Sequence, residues 1–467
     1  MAKWVLLANP PIYDFAAYDL FSKPLGLLYL ASFLRGRGYG VRLLDCLDRR
    51  HRALASLPEL KTHPNGTGKI HAEIIEKPTV LRQIPRHYRR YGLPAERVAD
   101  LLREYAADPP AAVLVTSMMT YWYPAVADLI AQVRRELPGT PVGLGGVYAR
   151  LMPEHAQQIC QPDRLFSGNF EELISWLDSS LPIRNPQSKI PNQISPVLQW
   201  GPAYDLYPHL NYLTVLTSLG CPFHCDYCAS RVLQGRMERL APAEFVGQLQ
   251  RLIPRLQRDQ AGRPLNIAFM DDALLVDPEG HIIPILQAIR DWGLNLRFHC
   301  PNGLHLRYLS ADVAELMAAN RFEMIRLSYE SAETPWQRAG DHKATDEDFR
   351  RAVANLEKAG YSRNQLEAYI LAGLPGQSIE ELEHSARAVY EAGVQVRLSQ
   401  YSPIPGTALF ETACREYGVD PAEPLLHNNS ILPTLDQRMG FAGWDKFKIW
   451  VGQLNQKLAL RQGRSKM

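Results

Sequence analysis

The sequence predicts an α/β protein in which two β/α-repeat domains are followed by a short helical tail. Short apolar segments alternate with helical patterns along most of the chain, which is typical of parallel sheets covered by helices on both faces. A stretch rich in Pro, Asn, Gln and Ser at 186–211 interrupts the alternation, and we interpret it as a linker. The length of 467 residues also exceeds what one ordinary core accommodates.

Residues 1–185 predict a flavodoxin-like (Rossmann-type) doubly wound domain. Helical spacing, for example over Leu25–Leu34 and Val126–Leu137, separates the apolar segments. The candidate strands are Trp4–Ala8, Val41–Asp45, Ala112–Thr116, Val142–Leu144 and Arg164–Phe166. Domains of this class bind ligands beyond the carboxyl ends of their strands.

An insert near 51–94 breaks the pattern of this first domain. Its five basic residues are Lys77, Arg82, Arg86, Arg89 and Arg90. The string Asn65-Gly66-Thr67-Gly68-Lys69 lies in the same insert but lacks the GxxxxGK[ST] spacing of a phosphate-binding P-loop. Two interpretations stay open: a solvated basic loop, or a lid over an anionic ligand.

Residues 212–410 predict a partial (β/α)6 barrel of the TIM type, and 411–467 predict a helical C-terminal tail. The six candidate strands are Tyr212–Thr217, Leu265–Met270, Leu294–His299, Glu323–Ser328, Leu366–Leu371 and Gln395–Gln400. Polar, glycine or cysteine residues follow every one of these strands. Such barrels carry their working groups at the C-terminal ends of the strands, so we expect these residues to form one site.

Three cysteines, Cys221, Cys225 and Cys228, follow the first barrel strand with the spacing C-x-x-x-C-x-x-C. Three thiolates on one loop can bind three irons of a [4Fe–4S] cluster, which leaves the fourth iron open to a small molecule. Structural zinc is the alternative, but zinc sites use four ligands and no second C-x-x-C is present. The total of seven cysteines is odd and argues against a disulfide framework.

The other cysteines are interpreted separately. Cys300, at the end of the third barrel strand, is a further cluster ligand, a thiol facing the substrate or a small buried apolar residue. Cys46, Cys160 and Cys414 have no ligand-like neighbours in sequence, and we expect them to be structural.

The cysteine loop, with the aromatic Tyr227 before its last cysteine, resembles the cluster-binding loop of the radical S-adenosylmethionine (SAM) superfamily. The resemblance covers roughly residues 212–410. It implies an enzyme that reductively cleaves SAM at a [4Fe–4S] cluster to a 5′-deoxyadenosyl radical. It also implies an external one-electron reductant of the flavodoxin or ferredoxin type.

The same resemblance implies roles for residues at the other strand ends. Glu330 stands where relatives hydrogen-bond the ribose hydroxyls of SAM, although an acid at a helix start is the alternative. Gly373-Leu374-Pro375-Gly376 matches a strand end that approaches the adenine or the methionine group, or forms an ordinary turn.

Two further strand ends depart from the usual pattern or match it weakly. Asp271-Asp272 stands where many members carry Gly-Gly-Glu, and we expect a carboxylate to pair with the methionine ammonium. Asn302 is expected to reach the methionine carboxylate or the ribose.

The N-terminal domain resembles the cobalamin-binding domain that precedes many radical SAM enzymes. The matching segments are Asn9-Pro10-Pro11, Lys23-Pro24-Leu25-Gly26, Thr116-Ser117-Met118-Met119-Thr120 and Gly145-Gly146-Val147-Tyr148 followed by Pro153-Glu154. The resemblance implies that Gly145-Gly146 admits the cofactor tail, that Ser117 and Thr120 hydrogen-bond it, and that the aromatic run Tyr121–Tyr123 faces the corrin. A tight turn, a helix cap and core packing are the alternatives.

The D-x-H-x-x-G motif that supplies an axial imidazole to cobalt is absent from the sequence. The domain therefore binds cobalamin without a histidine ligand or is vestigial. Binding implies a methyltransferase acting on an unactivated carbon, whereas a vestigial domain implies hydrogen abstraction with rearrangement, cyclisation or oxidation. An iron–sulfur electron carrier and a zinc-stabilised binding protein are the non-enzymatic alternatives.

Composition excludes several classes of protein. The net charge of +2 gives no general attraction to nucleic acid or to a membrane surface. No apolar segment approaches the roughly 20 residues of a spanning helix, and MAKWVLLANPP lacks the features of a signal peptide. We expect a cytoplasmic enzyme, since free thiols and an oxygen-sensitive cluster require a reducing compartment. No charge pattern selects between a small-molecule, peptide or lipid substrate.

Overall fold

We describe the protein from a computed structural model, which covers residues 4–168, 170–180, 196–260, 262–332, 344–435 and 439–461. The chain forms two compact units. The N-terminal unit comprises Met1–Asn211 and Asp420–Ser430, and the C-terminal unit comprises Tyr212–Val419 and Ile431–Met467. None of the described helices combines the length and the apolar character that a membrane crossing requires.

A five-stranded parallel sheet forms the centre of the N-terminal unit. From one edge to the other its strands are Gly40–Asp45, Trp4–Asn9, Ala112–Val115, Val142–Leu144 and Arg164–Leu165. In the second of these, Leu6 packs into the core on one face of the sheet and Leu7 into the core on the other. A strand buried on both faces reads as a continuous apolar run, which is why the sequence predicts these strands.

Helices cover both faces of this sheet, as the alternating pattern predicts. They are Leu25–Gly36, Ala95–Tyr105, Tyr123–Glu136, Val147–Leu151, Pro153–Cys160, Phe170–Ser180 and Pro196–Trp200. The longest, Tyr123–Glu136, begins with proline in its first turn and buries Val126, Leu129, Ile130 and Val133 at helical spacing.

The insert folds as a small antiparallel sheet of Ile12–Asp14, Arg89–Tyr91 and Ala72–Ile74. Arg90 is buried and donates to Asp128 Oδ2 at 3.1 Å, and Lys77 donates to a backbone carbonyl at 2.6 Å. This corrects the interpretation for Arg90, which is buried and holds the insert together. Lys77 is only partly buried and Arg82 is exposed, so for the other basic residues the solvated loop and the lid both stay predictions.

The described part of the predicted linker, residues 196–211, belongs to the N-terminal unit. Tyr204 and Tyr207 are buried, and the Trp200 ring packs so closely on Gly36 that a Cβ there would lie 2.2 Å from it. Residues 196–211 are thus part of a folded domain, while 186–195 lie outside the described residues.

The C-terminal unit contains two three-stranded parallel sheets in which the strands follow chain order. The first consists of Leu213–Val215, Leu265–Phe269 and Leu296–His299, and the second of Ile325–Glu330, Leu366–Ala372 and Gln395–Gln400. Parallel bridges join Phe298 to Phe322 and Leu304 to Leu327, so the chain stays paired across the interval between the two sheets. All six predicted strands are present.

Helices connect the strands of the C-terminal unit. They are Ser230–Gln234, Pro242–Asp259, Ile282–Arg290, Ala311–Ala319, Asp346–Lys358, Ile379–Glu391, Ala408–Tyr417 and Gly440–Arg461. Two of them begin with capping boxes, formed by Thr345 with Asp348 and by Ser378 with Glu381. These boxes satisfy backbone N–H groups that a helix start leaves without partners, so the local sequence fixes where the helices begin.

The predicted helical tail has three parts. After Ala408–Tyr417 the chain contributes Asp420–Ser430 to the N-terminal unit, where Asn428 donates to Asp14 Oδ1 at 2.8 Å. The last helix, Gly440–Arg461, buries Trp444 completely. Its Asn455 side chain then bonds to the backbone of the edge strand Gln395–Gln400 and covers part of that edge.

Asn455 provides a test of this packing, because it accepts from Val396 N–H at 2.8 Å and donates to Val396 O at 2.9 Å. Asn455→Ala leaves both backbone groups without their partner, and we expect the free energy of unfolding to fall by about 1–3 kcal/mol. Urea unfolding of the apoprotein measures the change. Gln453→Ala, an exposed position on the same helix, is the control and should change little; equal effects of the two substitutions would contradict the assignment.

Candidate functional site

The cysteine loop begins at a short antiparallel pair in which Ser218–Leu219 bonds to Glu238–Arg239. Gly220 follows with φ +79°, and a Cβ there would lie 2.9 Å from the Arg236 carbonyl oxygen. The position therefore requires glycine, both for its left-handed backbone and for space. Cys221 comes next, so the direction in which the loop leaves the strand is fixed by backbone geometry.

All three predicted cluster cysteines are reduced and partly exposed. Cys228 N–H donates to the Cys225 carbonyl at 3.0 Å, which closes a tight turn. Ser230 N–H donates to Cys228 Sγ at 3.5 Å, and the Ser230 hydroxyl lies 3.3 Å from the same sulfur. These contacts hold the Cys228 sulfur in place.

In the described part of the chain, no three His, Cys, Asp or Glu side chains lie close enough to hold one metal ion. In a [4Fe–4S] cluster each cysteine binds a different iron. Three thiols on one loop match three such ligands, whereas a structural zinc site uses four.

Asp271, predicted to pair with an ammonium group, is instead fully engaged by the strand that precedes the cysteines. It is buried, and it accepts from Thr217 N–H at 3.0 Å, Thr217 Oγ1 at 2.6 Å and Ser218 Oγ at 2.6 Å. Burial raises its pKa to about 6, although these hydrogen bonds oppose the rise. This corrects the prediction: Asp271 anchors the start of the cysteine loop.

His281 extends this buried network. Its Nε2 lies 2.7 Å from Thr217 Oγ1, and burial lowers its pKa to about 4. Because the Thr217 hydroxyl donates to Asp271, the hydroxyl oxygen accepts the proton of His281 Nε2. A neutral imidazole thus completes a chain of three hydrogen-bonded side chains, Asp271, Thr217 and His281, and no sequence pattern indicated it.

Asp272 and Asn302 lie exposed beside this anchor. The Asn302 amide donates to the Met270 carbonyl at 2.8 Å and to the Asp271 carbonyl at 3.3 Å. These contacts use both amide hydrogens, so Asn302 presents an acceptor oxygen. That oxygen suits a hydroxyl group and not a carboxylate, which narrows the prediction for Asn302 to the ribose.

Glu330 ends the fourth strand in a strained conformation. Its φ is +70°, and the strand register shifts between Ser328 and Glu330. A non-glycine residue in this region costs of order 1–3 kcal/mol and needs surrounding contacts to hold it.

The Tyr227 hydroxyl supplies one such contact by donating to Glu330 Oε2. Burial and the neighbouring Glu330 and Cys225 raise the pKa of Tyr227 well above its usual value. The structure thus connects the cysteine loop to Glu330.

The glycine-proline turn after the fifth strand has its backbone groups occupied by protein atoms. Gly373 has φ +83° and donates to Gln377 Oε1 at 2.8 Å, and Gly376, with φ +79°, donates to Tyr417 Oη at 2.6 Å. Pro375 between them is buried. The N–H groups of Gly373 and Gly376 are therefore used within the protein, and the turn would contact a ligand through its surface shape. Sequence reasoning missed Gln377, which holds this turn.

Cys300 is 6% exposed, and burial raises the pKa of its thiol. Of the three interpretations, a small buried residue is the one this position favours. Cys46 and Cys160 are also buried, and Cys414 is half-buried.

In the N-terminal unit, Ser117 and the Gly145-Gly146 pair bind one another. Ser117 is 1% exposed and donates to the Gly145 carbonyl at 2.7 Å. Gly146 has φ +94°, and a Cβ there would lie 2.2 Å from the Ser117 carbonyl oxygen. These residues therefore fix the contour of the sheet edge, which corrects the prediction that Ser117 bonds a ligand. Thr120 is buried in the next turn.

The aromatic run Tyr121–Tyr123 makes contacts within the protein. Tyr121 is buried, Trp122 Nε1 donates to Asp14 Oδ2 at 2.8 Å, and the Tyr123 ring meets the His155 ring at 4.7 Å. Core packing is thus the interpretation that Tyr121 favours, while Trp122 and Tyr123 are half-buried and their contact with a ligand stays a prediction.

Two methionines are the exposed apolar groups at this edge. Met118 is 54% exposed and Met119 is 39% exposed, directly after the central strand Ala112–Val115. Apolar side chains left open where a doubly wound sheet binds ligands are candidates for contact with a flat apolar molecule. The sequence showed them only as part of a matching string.

Comparisons with known proteins agree with this geometry. The family model described as the radical SAM superfamily matches residues 215–389, which include the cysteine loop and Glu330. Cytidylyl-2-hydroxyethylphosphonate methyltransferase of Streptomyces wedmorensis is 23% identical over 492 residues, covering 90% of this chain and 83% of that protein. Bacteriochlorophyllide d C-12(1)-methyltransferase of Chlorobaculum tepidum is 22% identical over 297 residues, covering 60% and 61%.

Among solved structures, the radical SAM methyltransferase TsrM of Kitasatospora setae, with cobalamin and a [4Fe–4S] cluster bound, matches with a TM-score of 0.60 at 17% identity. The match covers 89% of this chain and 76% of TsrM. The cobalamin-dependent radical SAM enzyme OxsB matches with a TM-score of 0.56 at 14% identity, covering 93% and 56%. These likenesses show a shared α/β fold with parallel sheets.

The Asp271 anchor is testable on the apoprotein. Asp271→Ala leaves Thr217 and Ser218 with buried donors and no acceptor, and we expect the free energy of unfolding to fall by about 2–4 kcal/mol. Chemical denaturation measures it. Asp272→Ala, the exposed neighbour, is the matched control and should stay within about 0.5 kcal/mol of the parent protein. An Asp271→Ala protein as stable as the control would show that the buried network is not what fixes the loop.

Proposed function

Because the chain carries a radical SAM domain over residues 215–389, we propose that it is a cobalamin-dependent methyltransferase that acts on an unactivated carbon. The observation that carries the proposal is the Tyr227–Glu330 hydrogen bond, which joins the three-cysteine loop to an acid at another strand end. A carrier of electrons alone needs no such acid. One methyltransferase relative matches 90% of this chain and the other matches 60%. These matches support methyl transfer as the reaction.

We also propose a fold class for each of the two units. The N-terminal sheet has the strand order 2-1-3-4-5, which is the order of flavodoxin-like domains. Six parallel strands in chain order, with parallel bridges between the two sheets, support a partial (β/α)6 barrel for the C-terminal unit. The proposed cofactor-binding domain then includes 196–211 and 420–430 besides the predicted 1–185.

Cys221, Cys225 and Cys228 would bind three irons of the cluster. When bound, the cluster and SAM supply a 5′-deoxyadenosyl radical, and cobalamin supplies the methyl group. An external one-electron donor of the flavodoxin or ferredoxin type would provide the electron.

The chain's own residues would orient SAM by complementary hydrogen bonds. Glu330 accepts from the ribose hydroxyls while Tyr227 holds its carboxylate in place. The free oxygen of Asn302 accepts a further hydroxyl. Asp272 replaces Asp271 as the carboxylate that pairs with the methionine ammonium, because Asp272 is exposed and Asp271 is not. The rigid Gly373–Gly376 turn would shape the adenine side.

The N-terminal unit would hold cobalamin at the carboxyl ends of its strands. Gly145 and Gly146 keep that edge free of side chains, and the exposed Met118 and Met119 provide apolar contact. The sequence lacks the D-x-H-x-x-G motif, so cobalt would receive no axial imidazole from a motif of that kind. TsrM and OxsB, which share the fold, are described with cobalamin bound.

Anaerobic reconstitution with iron, sulfide and hydroxocobalamin tests the proposal. We expect a [4Fe–4S] spectrum, one bound corrin, and both 5′-deoxyadenosine and S-adenosylhomocysteine when SAM and a reductant are added. Cluster and 5′-deoxyadenosine without bound corrin would favour the alternative, radical chemistry without methyl transfer and a vestigial first domain. Absence of a cluster would overturn both.

Cys225→Ala should abolish the cluster spectrum and 5′-deoxyadenosine formation, because the two remaining thiolates are too few to bind a [4Fe–4S] cluster. Iron analysis and product chromatography measure both. Cys414→Ala, a half-buried cysteine outside the loop, is the control and should retain them. SAM cleavage by the Cys225 variant at the parent rate would remove the loop from the site.

Tyr227→Phe should weaken SAM binding about five- to tenfold, since it removes the donor that holds the Glu330 carboxylate. Equilibrium binding to the reconstituted protein measures the change. The matched control is Tyr390→Phe on the helix Ile379–Glu391, whose hydroxyl has no hydrogen bond among those described for this chain. Unchanged affinity in the Tyr227 variant would separate Glu330 from SAM binding.

A further inference from the structure

We propose that the N-terminal unit contains a binding site for an organic phosphate or phosphonate, separate from the corrin. The site is a cavity of about 670 Å³ formed by the chain after the edge strand Gly40–Asp45, by part of the insert and by His209 and Asn211. This volume lies in the usual range of small-molecule sites, about 300–1,000 Å³. Its position near the carboxyl end of a parallel strand is also where such sheets bind ligands.

A buried arginine makes one wall of the cavity rigid. The Arg49 side chain is 7% exposed, and it donates to Thr62 Oγ1 at 2.8 Å and to the carbonyls of Lys69 at 2.8 Å and Gly66 at 3.0 Å. A Cβ at Gly68 would lie 2.2 Å from Arg49 Nη2. The Asn65–Lys69 string therefore wraps a guanidinium with its carbonyl groups, whereas a phosphate loop presents N–H groups. Arg49 belongs to the scaffold of the site.

Hydrogen-bond donors line the open side of the cavity. Arg50 is exposed and forms no ion pair with any residue that the structure describes. His51 Nδ1 accepts from Ala53 N–H at 3.2 Å, so its neutral ring carries the proton on Nε2 and acts as a donor. His209 is exposed on the same lining. A guanidinium with imidazole N–H groups is a donor set that suits phosphate oxygens.

The acids near this edge are already engaged by protein groups. Asp45 is buried and accepts from the Tyr207 hydroxyl at 2.5 Å. Asp48 lies 3.6 Å from Lys23 Nζ. Glu59 is the one acid on the cavity lining, and it is exposed. The balance of charge on the lining therefore favours an anion.

The rest of the lining decides the kind of anion. Leu54, Leu57 and Leu60 line the same cavity together with Ala55 and Pro58. An inorganic ion leaves this apolar surface in contact with water. A phosphate or phosphonate attached to an organic group covers this surface, and removing apolar surface from water favours binding.

Calorimetric titration of the apoprotein tests the site with phenyl phosphate, inorganic phosphate and benzyl alcohol as probes. We expect phenyl phosphate to bind at least tenfold more tightly than either of the others, since only it uses both the donors and the apolar wall. Absence of phenyl phosphate binding, or equal binding of phenyl phosphate and inorganic phosphate, would overturn the proposal.

Variants of exposed residues locate the binding. Arg50→Ala with His209→Ala should weaken phenyl phosphate at least tenfold, and Glu59→Lys should tighten it several-fold. Arg290→Ala, an exposed arginine of the C-terminal unit, is the control and should leave affinity unchanged. Thermal unfolding at the parent temperature verifies that each variant is folded. If both cavity variants bound phenyl phosphate as tightly as the parent protein does, the ligand would bind elsewhere.

The phosphodiester of cobalamin shares this chemistry and is the other source of a phosphate. Repeating the titration on protein saturated with hydroxocobalamin separates the two. Retained phenyl phosphate binding supports an independent site, and competition overturns it. The apoprotein titration needs neither cluster nor corrin, so its failure leaves the proposed methyltransferase activity to its own test.

Discussion

A buried carboxylate organises the C-terminal unit around the cysteines. Asp271 follows the second strand, yet its hydrogen bonds go to Thr217 and Ser218 at the end of the first. Taking an acid out of water is costly unless donors satisfy it, so this arrangement tolerates little displacement. The antiparallel pair and the left-handed turn at Gly220 follow directly, so the backbone position of Cys221 is also fixed.

A second constraint joins the loop to the opposite side of the site. Glu330 adopts a left-handed conformation that an L-residue avoids, and Tyr227 from the cysteine loop holds its carboxylate. Strain of this kind persists where surrounding structure imposes it and recurs at ligand sites. The cysteine loop and Glu330 are thereby coupled in the absence of any ligand, and under the proposed function this reduces the ordering that binding must impose.

The N-terminal unit uses its polar residues mostly for itself. Ser117 fixes the Gly145-Gly146 turn, Trp122 bonds to Asp14, and Arg90 and Arg49 hold the insert. Buried polar groups must find partners, and nearby protein atoms supply them first. Among the residues that the structure describes, the methionine pair at the sheet edge is exposed and apolar, whereas the cavity is lined by hydrogen-bond donors.

The sequence by itself determined the strands and most helices, the three-cysteine loop and its resemblance to the radical SAM superfamily, because apolar periodicity, capping residues and ligand spacing are local properties. It also located Glu330 and both glycine turns. Only the tertiary structure decided that Asp271 is buried and anchors a strand while Asp272 is exposed, and that 196–211 and 420–430 belong to the first unit. Which donor a buried side chain meets depends on residues distant in the chain, and no local pattern records that distance.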